Sequence, residues 1–267
     1  MQSIGIFDSG LGGLTVYKEL KRLLPNEKFI YFGDTARVPY GSKSPDTIRK
    51  YAFEISYFLA QKKIKLMVVA CNTASSVALN ELKNAFRFPV IGVVQAAVET
   101  ASSMEHISKI GVIGTKGTIK SKTYQNLLIE KLMNVSVFSK PCPIFVPIIE
   151  EGLIDSIIMK TTMDYYLKSF LNKKLDAIIL GCTHYPIIEE QIFNFFNKKV
   201  KTINPGKAVA EEVKRILSKN AIENTENAGN IQDEFFLSDK QENFKKIAKN
   251  FLGFSISRVN IVKNSII

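Results

Sequence analysis

Val68-Val69-Ala70-Cys71-Asn72-Thr73 and Ile179-Leu180-Gly181-Cys182-Thr183-His184 each carry a short apolar stretch, rich in β-branched residues, into a cysteine followed by small hydrogen-bonding residues. A run of that kind reads as a buried strand feeding a loop, and in parallel α/β sheets chemistry collects at the carboxyl ends of strands. Each cysteine therefore stands where a nucleophile or a proton carrier would. The two motifs lie about one compact domain apart, which predicts two similar lobes, each offering one thiol to a shared cleft. Paired thiols facing one small molecule suggest proton transfer on two sides.

Working outward, Ile4-Gly5-Ile6-Phe7 predicts a first strand, and Asp8-Ser9-Gly10-Leu11-Gly12-Gly13 a glycine-rich turn into a helix carrying Leu14, Tyr17, Leu20 and Leu24. Phe29-Ile30-Tyr31-Phe32 predicts a second strand leading through Gly33-Asp34-Thr35 to Val38-Pro39-Tyr40-Gly41. Ser44-Pro45-Asp46 is a helix start with proline just inside the cap. Pro89 to Val93 continues the first sheet, and Ile110-Gly111-Val112-Ile113-Gly114-Thr115 begins a fresh series that ends at Ala177 to Gly181. Strands alternating with helices at this rhythm predict an α/β fold of two similar lobes, each a mainly parallel sheet flanked by helices, with the active site in the cleft between them. Phe235-Phe236-Leu237 and Val259 to Val262 are read as strands that rejoin the first sheet, after a polar surface loop over Asn220 to Asn230. On that reading residues 1–95 and 210–267 form the lobe with Cys71, and residues 96–209, with Cys182, are inserted in it.

Composition narrows the function classes. With 267 residues, 46% of them hydrophobic, the chain can bury one large core or two smaller ones, so global disorder is excluded. The opening Met1 to Gly5 is not a basic segment followed by an apolar one, and no run of eighteen apolar residues occurs, so a cytoplasmic protein without membrane attachment is expected. Three cysteines with no Cys-x-x-Cys pair fit neither a disulfide framework nor a zinc knuckle, and free thiols in a reducing compartment are the better reading. Cys142, between Pro141 and Pro143, lacks polar neighbours and reads as a buried packing residue. The net charge of +11 is scattered over helix faces such as Lys62-Lys63 and Lys245-Lys246, with no dense basic tract, so no nucleic-acid partner is required.

Cys71-Asn72-Thr73 is expected at a helix start, where unpaired amides and the dipole favour a thiolate, and Cys182 is expected at an equivalent place with an imidazole two residues on. The chain has two histidines. His184, beside a strand-end thiol, is the better acid-base candidate, whereas His106 is expected on an amphipathic helix. Asp8-Ser9-Gly10 could serve only as a cap, and the glycines after it depart from the dinucleotide fingerprint.

Taken together, Asp8-Ser9-Gly10, Gly33-Asp34-Thr35 with Pro39-Tyr40-Gly41, Ala70-Cys71-Asn72-Thr73, Val146-Pro147 ahead of Glu150-Glu151-Gly152, and Gly181 to Pro186 resemble the glutamate racemases of the aspartate/glutamate racemase superfamily, in order and over nearly the whole chain. The resemblance implies an isomerase that interconverts L- and D-glutamate without any cofactor or metal and supplies D-glutamate for peptidoglycan, in a cytoplasmic homodimer. It implies that Cys71 deprotonates D-glutamate and Cys182 deprotonates L-glutamate. Asp8 would support Cys71, and His184 with a glutamate, Glu150 or its neighbour Glu151, would support Cys182. Substrate holding would fall to Asp8, Ser9, Tyr40, Gly41, Asn72, Thr73, Thr183 and His184. The chemistry agrees with the residues: inverting a carbon requires removing a proton from one face and delivering one to the other, so two opposed groups are needed. Rival readings are a racemase for another amino acid such as aspartate, a non-catalytic anion or nucleic-acid binder that uses the positive charge, and a zinc hydrolase built on Cys71, Cys182 and His184.

Overall fold

The computed structural model describes residues 2–224, 232–241, 244–256 and 258–262. Strands β1 (Ile4–Asp8), β2 (Phe29–Gly33), β3 (Leu66–Val69) and β4 (Val90–Gly92) alternate with helices α1 (Leu14–Leu23), α2 (Pro45–Gln61) and α3 (Asn72–Ala85). Helix α4 (Val93–Ser102) then carries the chain into a second series. There β5 (Lys109–Gly114), α5 (Lys116–Lys120), α6 (Thr123–Lys131), β6 (Ser136–Pro141), α7 (Phe145–Glu150), α8 (Ile157–Leu171), β7 (Ala177–Gly181), α9 (Glu189–Phe195) and β8 (Lys201–Ile203) follow. Helix α10 (Pro205–Asn220) leads back toward β9 (Glu234–Leu237), α11 (Phe244–Leu252) and β10 (Asn260–Ile261).

The strands form two sheets, one in the order β10-β9-β2-β1-β3-β4 and one in the order β6-β5-β7-β8, and every pairing is parallel. This is the α/β architecture of two helix-flanked parallel sheets that the sequence rhythm predicts. β1, β2, β3 and β7 are buried at every position, as strands covered by helices on both faces must be. Ser44 caps α2 by accepting a bond from the Thr47 amide, with Pro45 in the first turn. One apolar cluster runs from Ile4, Leu14 and Tyr31 in the first lobe to Ile178, Leu180 and Tyr185 in the second, so the lobes share a continuous core. Helix α10 packs on both α1 and α4.

The strand order decides where a site can form. From β1 the chain steps to β2 on one side and β3 on the other; from β5 it steps to β6 on one side and β7 on the other. Each sheet thus has a switch point, beside the carboxyl ends of β1 and β3 and of β5 and β7, where neighbouring connections diverge and leave a crevice. Cys71 follows β3 and Cys182 follows β7.

Three local expectations are revised or left aside. His106 is not helical: α4 ends at Ser102, whose hydroxyl bonds back to the Val98 carbonyl, and His106 lies exposed in the following turn with φ of 56°. Cys182 does not head an α-helix. Its loop passes through a tight turn into a short 3₁₀ segment, Tyr185–Ile188: an α-helix headed by Cys182 would need an N–H at Pro186 to bond the Cys182 carbonyl, which accepts the Tyr185 amide at 3.0 Å instead. The polar loop expected over Asn220 to Asn230 lies, from residue 225 on, outside the described residues.

Candidate active site

Asp8 closes β1 with its carboxylate turned under the adjoining loop, where Oδ2 accepts the Gly10 amide at 2.9 Å. Its other oxygen accepts a long bond, 3.4 Å, from the Thr183 hydroxyl of the second lobe. The Thr15 hydroxyl donates to the Thr183 carbonyl at 2.7 Å, tying α1 to the loop after β7. Such close approach requires glycine at position 12: a Cβ there would stand 2.3 Å from Thr183 Oγ1 and 2.5 Å from His184 Nδ1.

Above this seam lies a cavity of about 240 Å³. Its walls include Ser9, Tyr40, Gly41, Cys71, Asn72 and Thr73 from the first lobe and Glu150, Cys182, Thr183 and His184 from the second. Asp8 lies buried beneath it. That volume falls below the range for drug-sized ligands and suits a molecule the size of an amino acid.

The two thiols are furnished differently. Cys71 caps α3, and its Sγ lies 3.3 Å from the Ser9 hydroxyl. Burial, reinforced by the nearby Asp8 charge, pushes the Cys71 thiol up to about 12, against the opposing bonds from Ser9 and the Ala74 amide. Burial also raises Asp8 above the ordinary carboxylate range, although the Gly10 amide and the His184 charge work against it. Cys182 Sγ lies 3.8 Å from His184 Nδ1, and the other ring nitrogen meets Glu150 Oε1 at 2.9 Å. Burial opposes the charged imidazole, but Cys182 and Glu150 outweigh it and push His184 up to about 10. Glu151 is exposed in the turn after α7.

Tyr40 lines the cavity, but its hydroxyl is already committed to Asp34, a fully buried carboxylate that also accepts from Arg37 Nε at 2.7 Å and Ser238 Oγ at 2.7 Å. What Tyr40 offers the cavity is therefore its ring and backbone. Thr115 and Gln241 also line the cavity and were not singled out by sequence. Thr115 had a readable signal, since it follows β5 just as the cysteines follow β3 and β7. Gln241 had none, because only the return of the last strands to the first sheet brings it there. Cys142 is buried away from the cavity lining, its Sγ 3.6 Å from the Lys140 carbonyl oxygen. Among the described residues no three His, Cys, Asp or Glu side chains gather closely enough to hold a metal ion. No helix among them is long and apolar enough to cross a membrane.

Comparison with known proteins agrees with this geometry. A family model described as Asp/Glu/Hydantoin racemase matches residues 4–213. The glutamate racemase of Aquifex aeolicus is 45% identical over 250 residues, covering 94% of each chain. That of Enterococcus faecalis is 41% identical over 252 residues, covering 94% of this chain and 92% of its own. The crystal structure of glutamate racemase from Francisella tularensis in complex with D-glutamate superposes with a TM-score of 0.92 at 39% identity, over 99% of this chain and 98% of that one. The fold, the order of the motifs and these full-length similarities lead to one conclusion: the chain belongs to the Asp/Glu/hydantoin racemase family.

Proposed function

We propose that this protein is a glutamate racemase in which Cys71 and Cys182 exchange the α-proton of glutamate on opposite faces, without a cofactor. The observation that carries the reading is that a thiol follows the switch-point strand of each sheet and both open on one amino-acid-sized cavity. Full-length similarity to proteins named glutamate racemase selects glutamate among the family's substrates.

In the L-to-D direction the Cys182 thiolate removes the α-proton, forming an S–H bond while the C–H electron pair passes onto the α-carboxylate. The Cys71 thiol then delivers its proton to the same carbon from the other face and is left as thiolate. The D-to-L direction runs the steps in reverse, with Cys71 as the base. His184, charged through neutral pH and held by Glu150, supplies the countercharge that a thiolate at Cys182 needs. Asp8, adjacent to Cys71, is the group that supports proton exchange there. The carboxylates of the substrate are held by Ser9, Asn72, Thr73, Thr183 and His184 and by the backbone at Tyr40 and Gly41, since hydroxyls and amides near helix starts suit anions. By the same family likeness the enzyme works as a cytoplasmic homodimer and supplies D-glutamate for peptidoglycan. The free state of Cys71, Cys142 and Cys182 is consistent with a reducing compartment.

The test is to dialyse the protein against chelator and incubate it with L-glutamate in deuterated water. Optical rotation should decay to zero as deuterium enters the α-position of the D-product. Unchanged rotation, turnover of aspartate in place of glutamate, or activity that returns only with added zinc or pyridoxal phosphate would overturn the proposal.

A further inference from the structure

Tyr124 sits on α6 of the second lobe, is 2% exposed, and touches both cysteine loops without lining the cavity. Its hydroxyl meets Asn72 Oδ1, next to Cys71, at 2.7 Å. Its ring edge lies against Gly181, next to Cys182: a Cβ built on Gly181 would stand 3.2 Å from Tyr124 Cε2. One side chain thus spans the distance between the two strand ends that carry the thiols.

The partner it holds is incomplete. Asn72 is 3% exposed and lines the cavity, yet its Nδ2 is enclosed and has no hydrogen-bond partner among the described residues. An enclosed, unpaired amide nitrogen has lost its bonds to water without replacement, so its retention beside a cavity points to an acceptor that arrives from outside. In the structure the Tyr124 hydroxyl donates to the oxygen end of the amide. That bond holds the carbonyl end toward Tyr124 and leaves the N–H₂ end for a ligand. Burial, and then the charge at Cys182, keep the Tyr124 hydroxyl protonated far above neutral pH, so it stays a donor throughout the cycle.

We propose that Tyr124 is a positioning residue for the racemase reaction: it braces the Cys71 and Cys182 loops against each other and orients the Asn72 amide so that its N–H₂ group donates to a carboxylate of the bound amino acid. The inference rests on the glutamate reading above. It assigns a role to a residue that touches no substrate.

Tyr124→Phe removes the hydroxyl and keeps the ring brace. It should raise KM for L- and D-glutamate by roughly two- to tenfold, the range of one lost hydrogen bond, with kcat changed less than KM. Because the equilibrium ties the two directions, kcat/KM must fall by the same factor in both. The decisive measurement is the cycle with Asn72→Ala. If Tyr124 acts through Asn72, the double variant has the same kcat/KM as Asn72→Ala alone, whereas independent roles give multiplied losses. Thermal midpoints of all three variants report folding separately. Should Tyr124→Phe fold poorly, comparing KM in Asn72→Ala and Asn72→Asp reads the same contact from the other side. An aspartate keeps the acceptor for Tyr124 but presents no donor, so it should bind glutamate worse than alanine does. A normal Tyr124→Phe enzyme, additive losses, or Asn72→Asp binding as well as Asn72→Ala would overturn the inference while the wild-type enzyme still racemises glutamate. A wild-type protein that neither binds nor turns over glutamate would remove the reading on which it rests.

Discussion

The loops after β3 and β7 occupy equivalent places in their sheets, and their differences teach more than their likeness. Cys71 heads a 14-residue helix, with the Ser9 hydroxyl as the bonding partner of its sulfur and Asp8 as its charged neighbour. Cys182 heads no long helix, and its neighbour is an imidazolium backed by a carboxylate. The strand end fixes where a thiol stands; the next few residues decide what charge surrounds it. A carboxylate beside one sulfur and a cation beside the other give the two ends opposite surroundings, which is what an inversion with one proton in transit requires. A symmetric site would hold both thiols in the same state.

The comparison breaks most directly if one thiol is dispensable. Cys71→Ala and Cys182→Ala should each lower racemisation by roughly a hundred- to ten-thousandfold, the span of a lost acid-base group, while the thermal midpoint moves little. The residual reactions should differ: Cys71→Ala keeps the base for L-glutamate, so slow α-hydrogen exchange of that enantiomer should outlast inversion. A single variant that still inverts glutamate within tenfold of wild type would end the two-base scheme.

Much of this was legible in the sequence because parallel strands buried on both faces leave an unmistakable apolar signature. β1, β3, β5 and β7 show in Ile4 to Phe7, Val68 to Ala70, Ile110 to Gly114 and Ala177 to Gly181. Ser9, Cys71 and Cys182 with their neighbours converge on one cavity because each follows such a strand, whereas Glu150 reaches it from the end of α7. What escaped depends on contacts distant in sequence. The commitment of the Tyr40 hydroxyl to Asp34 and Ser238, and the reach of Tyr124 across to Asn72, have no local periodicity. The non-helical setting of Cys182 follows from Pro186, four residues on, which has no N–H to give the Cys182 carbonyl in an otherwise helical-looking stretch.

A sharper test concerns the supporting groups. Asp8→Asn and His184→Asn remove neighbours of opposite thiols, and each should lower kcat/KM by roughly ten- to a hundredfold, the scale of a lost charged hydrogen bond. Both directions must fall equally at equilibrium, so the asymmetry appears in the primary deuterium isotope effect on each enantiomer. His184→Asn should enlarge the effect on L-glutamate and Asp8→Asn that on D-glutamate. If both variants change both isotope effects alike, these residues serve binding rather than individual thiols.

The same cation makes a stability signal with a definite sign. The folded value of His184, about 10, lies above the ordinary 6.5, so its contribution is fully present below about pH 6.5 and is lost as pH rises through about 10. Thermal midpoints of wild type and His184→Gln should therefore be furthest apart near pH 6 and converge toward pH 10. A gap that widens with pH would mean that the imidazole is held neutral, and the contrast between the two loops would lose its charge.

The smallest effect is expected at the third thiol. Cys142 is as buried as the other two and follows β6, but β6 is the edge strand of its sheet and not a switch-point neighbour. Its carbonyl accepts the Tyr185 hydroxyl at 2.7 Å, a bond that belongs to the backbone and survives replacement of the side chain. Cys142→Ala should leave kcat/KM within about twofold of wild type and cost on the order of 1 kcal/mol of stability from the small void left behind. Denaturation midpoints and racemisation rates on the same preparation check both numbers. A folded Cys142→Ala protein without activity would show that a buried sulfur suffices for proton transfer wherever it stands, and the argument from strand order would fail.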